Sequence, residues 1–261
     1  MADWDAELYL LYEAMRTRPA TELLEKAVAH LGSRDLEQIV DLGCGPGNST
    51  ELLVREFPEA SVIGLDSSPA MLERARERFP HVKFVQDDIV NWHSETSLDL
   101  IFANASLQWC PDHAYLFPGL INKLRPGGLL AVQMPDNLSE PSHQLMREIA
   151  KRPRWQEQLS AASGKRAVIG SFEAYYDYLS PACDLVDIWR CCYGHVLPGP
   201  EAIVQWLQAT GLKPYLDPLS VADRKLFLEA YSRAVSQAYP RMSDGRVMLR
   251  FPRLFIIARK R

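Results

Sequence analysis

The stretch IVDLGCGPGNST, Ile39 to Thr50, decides the fold. An apolar run ends in Asp41, and Gly43, Gly45 and Gly47 follow at alternate positions. STELLVREF then reads as a helix. Glycines after a strand let the backbone turn sharply, and the helix beyond presents unpaired N–H groups. A strand, a glycine turn and a helix in that order open an α/β unit whose turn meets a ligand.

Outward from this unit, short apolar runs alternate with helical patterns. QIVDLG, SVIGLD, VKFVQDD, LDLIFAN and LLAVQM are continuous enough to be strands buried on both faces, as in a parallel sheet covered by helices. SPAMLERARERF between them has Ser68 placed to cap and Pro69 at the first helical position. Met71, Leu72, Ala75 and Phe79 fall on one face. Leu124-Arg125-Pro126-Gly127-Gly128 is expected to close a helix ahead of the fifth strand. The pattern is a Rossmann-like, doubly wound sheet. After Met134, SEPSHQLMREIAK reads as a helix, KRPRWQEQLSAASGKR as polar surface and DLVDIWRCCY as a strand. Helical stretches then precede a last strand, LFIIARK. We expect one domain: a helical cover over 1–34, a ligand-binding core over 35–135, and a substrate-side segment over 136–261. That last segment holds a helical insertion at about 198–250 that roofs the active-site edge.

The residues around the glycines separate the possible ligands. A phosphate loop needs G-x-x-x-x-G-K-[ST], and no lysine is present; a dinucleotide fingerprint would put its third glycine at Asn48. Asp41, two residues ahead of Gly43, would repel a pyrophosphate and attract an ammonium group. S-adenosylmethionine carries that amino group, a sulfonium and no phosphate. Asp66 ends the second strand, where an acid accepts from ribose hydroxyls. Asp88, after the third strand, is placed for an adenine amino group.

VDLGCGPGNST, LDSSPAMLERAR, DDI and LRPGG resemble the successive motifs of the class I S-adenosylmethionine-dependent methyltransferases over residues 35 to 135. The resemblance implies a seven-stranded, mostly parallel sheet with an antiparallel last strand. It assigns Gly43, Gly45 and Asn48 to the methionine moiety of the cofactor and Asp66 to its ribose. Ser67 and Met71 would flank the adenosine, Asp88 and Ile89 would meet the adenine, and Asn104 and Ala105 would line the methionine end. A narrower resemblance spans most of the chain through DW…LYL, LDLIFANASLQW, AVQMPDN, AYYDYL, VDIWR and FPRLFIIAR. These are similar to motifs of carboxyl O-methyltransferases that form the monomethyl ester of trans-aconitate.

That resemblance implies a nucleophile already anionic near neutral pH, so no catalytic acid or base is named. A tricarboxylate does require cations and donors. Tyr193 and His195, after the sixth strand, and Arg253, ahead of the last, fall at the carboxyl edge of the parallel strands. Arg16 and Arg18 come from the N-terminal segment, and Trp109 is a candidate to pack on the methionine chain. Aromatic core filler is the competing reading of Trp109, as a solvated helix face is for the two arginines. Of Tyr175 and Tyr176, only one can face a site. The net charge of −4 provides no global field for nucleic acid. Five cysteines without C-x-x-C suggest neither a disulfide framework nor a metal site. With no signal peptide or membrane span in view, a cytoplasmic location is expected. The competing functions are a same-fold methyltransferase with another small acid or hydroxyl acceptor, and a cofactor-binding sensor without catalysis.

Overall fold

The computed structural model describes residues 13–261 apart from 95, 161, 163–165 and 209, with only the backbone of 13, 14 and 16. The DW…LYL motif lies outside the described residues. Helix α1 (Glu13–Leu31) precedes β1 (Gln38–Leu42), α2 (Asn48–Glu56), β2 (Ser61–Asp66), α3 (Pro69–Arg78), β3 (Lys83–Gln86) and β4 (Leu98–Asn104). A 3₁₀ turn (Leu107–Trp109), α4 (His113–Asn122), β5 (Leu124–Pro135), α5 (Pro141–Ala150), α6 (Phe172–Leu179) and β6 (Cys183–Leu197) follow. Helices α7 (Pro200–Gln208), α8 (Lys213–Leu216) and α9 (Val221–Ala238) stand between β6 and β7 (Val247–Lys260).

The seven strands are ordered β3-β2-β1-β4-β5-β7-β6. β1 pairs in parallel with β2 and β4, β2 with β3, and β4 with β5. Lys260 Nζ, ending β7, donates to the Leu124 carbonyl that starts β5 (2.6 Å), and Arg261 N donates to Ala182 O just ahead of β6 (3.0 Å). β7 therefore runs against both neighbours, the mostly parallel sheet with an antiparallel last strand that the motifs imply.

Continuous apolar character translates into two-sided burial. Every residue from Leu98 to Ala103 is at most 2% exposed. The acid within that run, Asp99, accepts from Glu37 N and Gln38 N at 2.9 Å each and pairs with Arg125, so its charge is compensated inside the fold. This anchoring corrects one expectation. Leu124-Arg125-Pro126-Gly127-Gly128 does not close a helix; α4 stops at Asn122, and these residues begin β5, with a register shift where Leu98 and Leu100 pair.

The chain forms two compact units. One comprises residues 16–135, 167–191 and 254–261: the parallel strands, their covering helices and the inner halves of β6 and β7. The other comprises the described residues of 136–166 and 192–253: α5, α7, α8, α9 and the outer halves of the same two strands. In the second unit α9 packs on α5 and α7. Tyr231 Oη donates to Ser142 O (2.9 Å) and Ser142 N to Tyr239 Oη (3.1 Å). The stretch 151–166, expected to be surface, is only partly so. Trp155 (5%) and Leu159 (2%) are buried, and Trp155 sets its ring edge-on against Phe227. Their four-residue spacing was the available signal.

Candidate active site

In the unit that holds the parallel strands, the glycine turn is bolted to the next strand: Gly43 N and Cys44 N both donate to Leu65 O, at 2.7 and 3.0 Å. Gly43 has a φ of +73°, and a Cβ built on it would sit 2.3 Å from Ser106 Cβ. Ser106 in turn donates to Leu42 O (2.6 Å), so the loops after β1 and β4 meet where only glycine fits. Gly47 (φ +92°) precedes α2, with Phe79 packed where a side chain would otherwise go.

Asp41 has no exposed surface. Its Oδ2 accepts from Ser49 Oγ (2.8 Å) and Thr50 Oγ1 (2.7 Å), two hydroxyls in the first turn of α2 that sequence reasoning did not single out. Its Oδ1 is buried with no donor among the described residues. Burial pushes its carboxyl up to about 6; the two hydroxyls oppose that rise and nearby Asp66 adds to it. Asn104 Oδ1, at the end of β4, is a second buried acceptor with no donor among the described residues. Two such acceptors at the ends of adjacent parallel strands fit an ammonium group, the part of S-adenosylmethionine assigned there.

Asp66 already bridges two loops. Oδ2 accepts from Gly45 N (2.9 Å) and Oδ1 from Ser68 N (2.8 Å). Each oxygen keeps further acceptor capacity for a hydroxyl. Ser68 caps α3 through Met71 N, with Pro69 at its first position as expected; Ser67 is exposed and Met71 half-buried. Asp88 is exposed and accepts from Val90 N (2.9 Å), with half-buried Ile89 between them. The Asn48 side chain accepts from Arg78, which also binds Pro46 O (3.2 Å) and Glu51 (3.1 Å) and so braces the turn from α3.

The loop after β4 is held in a strained form. Ala105 has a φ of +55°, a conformation costing a residue with a side chain roughly 1–3 kcal/mol. Gln133 O accepts from Ala105 N (2.8 Å) and Gln108 Nε2 donates to Ala105 O (2.6 Å). Behind the loop, His113 contacts Leu107 O through Nε2 (2.9 Å) and Tyr175 Oη through Nδ1 (2.7 Å). Burial lowers its pKa, so the neutral ring donates from Nε2 and accepts from the tyrosine. Tyr175 is thus the buried member of the tyrosine pair and Tyr176 (54%) the exposed one. Trp109, carried by this loop, is 46% exposed, which excludes the core-filler reading.

Removing Asp66 leaves Gly45 N and Ser68 N without their acceptor. Asp66→Ala is expected to weaken S-adenosylmethionine binding by about 1–3 kcal/mol. Titration calorimetry showing unchanged affinity would refute the ribose role.

In the other unit, Tyr193, His195 and Arg253 are brought together. They are 4%, 6% and 4% exposed. Tyr193 and His195 lie two residues apart on one face of β6 with parallel rings. The Arg253 guanidinium stands over Tyr193 (5.9 Å) and Phe251 (4.7 Å), and His195 packs on Trp206. Two positional corrections follow. His195 lies within β6, not after it, and Arg253 within β7, not ahead of it. The outer halves of both strands alternate buried and exposed residues, and that period of two marked them as strand. Arg18 is exposed and paired with Glu22 one helical turn on (2.6 Å), the solvated-helix arrangement. The Arg16 side chain lies outside the described residues.

Fold and glycine-turn site together define a class I S-adenosylmethionine-dependent methyltransferase, and a methyltransferase-domain family model matches residues 39–128. The chain is similar over its whole length to proteins named trans-aconitate 2-methyltransferase. That of Acidovorax ebreus (strain TPSY) is 55% identical over 100% of this chain and 99% of its own. That of Yersinia pseudotuberculosis serotype O:1b is 54% identical over 99% and 98%. The chain belongs to the trans-aconitate 2-methyltransferase family. Among solved structures, a putative sarcosine dimethylglycine methyltransferase from Galdieria sulphuraria shares the fold at 16% identity and a TM-score of 0.56, over 93% of this chain and 85% of that one. A Haemonchus contortus phosphoethanolamine N-methyltransferase 2, solved with S-adenosyl-L-methionine, does so at 18% and 0.55, over 92% and 52%.

Proposed function

We propose that the protein esterifies one carboxylate of trans-aconitate to its monomethyl ester, and that Tyr193, His195 and Arg253 bind the acid groups that do not react. The observation that carries this reading is their cluster: a guanidinium and an imidazole, both buried, set among aromatic rings. A planar guanidinium fork matches a carboxylate in geometry as well as charge. S-adenosylmethionine, when bound, supplies a methyl group on a sulfonium to an in-line nucleophile. The chain's own residues have no proton to move, since the acceptor is ionised near neutral pH. Their work is to orient the acceptor oxygen and keep water out. The two buried acceptors, Asp41 Oδ1 and Asn104 Oδ1, would hold the amino group, Asp66 the ribose, and Ser67, Met71, Asp88 and Ile89 the adenosine. We assign the activity to the cytoplasm and to a small anion, with no nucleic-acid or membrane partner, in keeping with the chain's net charge of −4.

Labelled methyl from the cofactor should appear in a base-labile small product when trans-aconitate is supplied. No transfer to it, with transfer to another acid in an acceptor panel, would reject this substrate; binding of cofactor without any turnover would point to a sensor. Arg253→Ala is expected to raise the acceptor KM about 10- to 100-fold while leaving cofactor affinity unchanged, the loss of one charge-assisted contact. Equal effects on both ligands would instead mark general damage to β7.

A further inference from the structure

We propose that Tyr175 and His113 are positioning residues for methyl transfer, holding the loop after β4 in the form that presents Ala105 and Trp109. This rests on the assignment of Asn104, Ala105 and Trp109 to the methionine end of the cofactor, and adds what fixes them there. All the residues concerned belong to the unit of the parallel strands. Among the described residues, Ala105 (φ +55°) and Asp112 (φ +49°) are the two with side chains that adopt a left-handed backbone, and they bracket the loop. Such strain persists only where the surroundings impose it, and it gathers where a site needs a fixed shape. Inside the loop, Gln108 braces Ala105 O (2.6 Å), and Leu107 O accepts from Cys110 N at 3.0 Å.

A further constraint comes from the stretch 167–179, far along the chain. Ala167 N donates to Gln108 O at 2.9 Å. Tyr175 supplies the second tie, through His113. Leu107 O can only accept, so Nε2 of the neutral ring carries the proton (2.9 Å) and Nδ1 accepts from Tyr175 Oη (2.7 Å). Gly170 N in turn donates to the same hydroxyl at 3.4 Å. The chain from Gly170 N through Tyr175 and His113 to Leu107 O thus runs in one direction, each donor meeting an acceptor. Tyr175 has no exposed surface, and its ring lies 5.0 Å from Phe117 and 5.8 Å from His113. Both ties end on the carbonyls of Leu107 and Gln108, the two residues directly ahead of Trp109. An in-line displacement loses rate steeply when its parts are misplaced by about 1 Å, so the rate is where loss of a tie should show.

The test compares the full-length wild type with Tyr175→Phe, His113→Gln and His113→Leu. Tyr175→Phe should lower kcat on trans-aconitate about 5- to 30-fold, with both KM values and the dissociation constant of S-adenosylhomocysteine within about threefold of wild type. His113→Gln, whose amide nitrogen can still donate to Leu107 O, should keep several-fold more activity than His113→Leu. Calorimetric stoichiometry for S-adenosylhomocysteine separates positioning from damage, because a folded site binds its full complement whatever its rate. Trp109 emission is taken as the difference between each protein and its Trp109→Phe counterpart. Acrylamide should quench it more strongly in Tyr175→Phe and His113→Leu than in wild type. Unchanged kcat in both variants, or a fall in kcat matched by an equal fall in stoichiometry, would overturn the inference. A wild type inactive on trans-aconitate would reject that substrate alone; Trp109 quenching then decides, and unchanged quenching overturns the positioning role. Should His113→Leu fail to fold, Tyr175→Phe decides by the same measures.

Discussion

Gly43→Ala is expected to destabilise the protein by about 2–5 kcal/mol and to abolish measurable cofactor binding, whereas Gly45→Ala should cost only about 1–2 kcal/mol. Both glycines have positive φ, +73° and +55°, so both alanines carry the strain of a left-handed backbone. They differ in what a methyl group would meet. At Gly45 nothing lies within 4 Å; at Gly43 the new carbon would overlap Ser106 Cβ at 2.3 Å and press on Oγ at 3.1 Å. Relief requires Ser106 to move, which breaks its bond to Leu42 O and drags Ala105 and Asn104 with it. Thermal unfolding and calorimetry on the two variants isolate this overlap, because the backbone penalty is common to them. Equal losses would mean that the loops after β1 and β4 are not in the contact described.

The second large effect is a pH dependence set by Asp41. Its carboxyl titrates near 6 in the folded chain and near 3.8 when unfolded. For an acid with a raised folded pKa, the folded state takes up the proton first. The cofactor-free protein therefore bears a penalty of up to about 3 kcal/mol above pH 6, and that penalty disappears as pH falls toward 4. Cofactor binding should run the other way. An ammonium group favours the ionised carboxylate, so affinity should fall about tenfold per pH unit below 6. Asp41→Asn should bind more weakly at neutral pH, with a flat profile, and be more stable above pH 6. Calorimetric dissociation constants between pH 5 and 8 check this; a level wild-type profile would rule out an Asp41–ammonium contact.

The sequence carried the sheet well because its inner strands are one-signal segments: LDLIFAN is apolar but for Asp99 and the closing Asn104, and is buried from Leu98 to Ala103. The strand-end acids were legible for the same reason, since the end of an apolar run locates the sheet's edge. CCYGHVL and VMLRFPR were harder. Each alternates over a short span, and glycine, histidine and arginine dilute the pattern, so His195 and Arg253 were set in loops when they stand in strands. What Asp41 does was half visible. Its position followed from the motif, but nothing local announced that Ser49 and Thr50 would turn their hydroxyls onto one of its oxygens. Nor could spacing reveal that Arg166 would donate to Asn137, 29 residues away.

The double grip of Asp66 on Gly45 N and Ser68 N has a consequence for how quickly the protein can be loaded. The two loops that would cradle the nucleoside are tied to one carboxylate before any ligand arrives, so association pays no toll for ordering them. A preorganised frame of this kind belongs with a rapid bimolecular encounter and an affinity governed by the rate of escape.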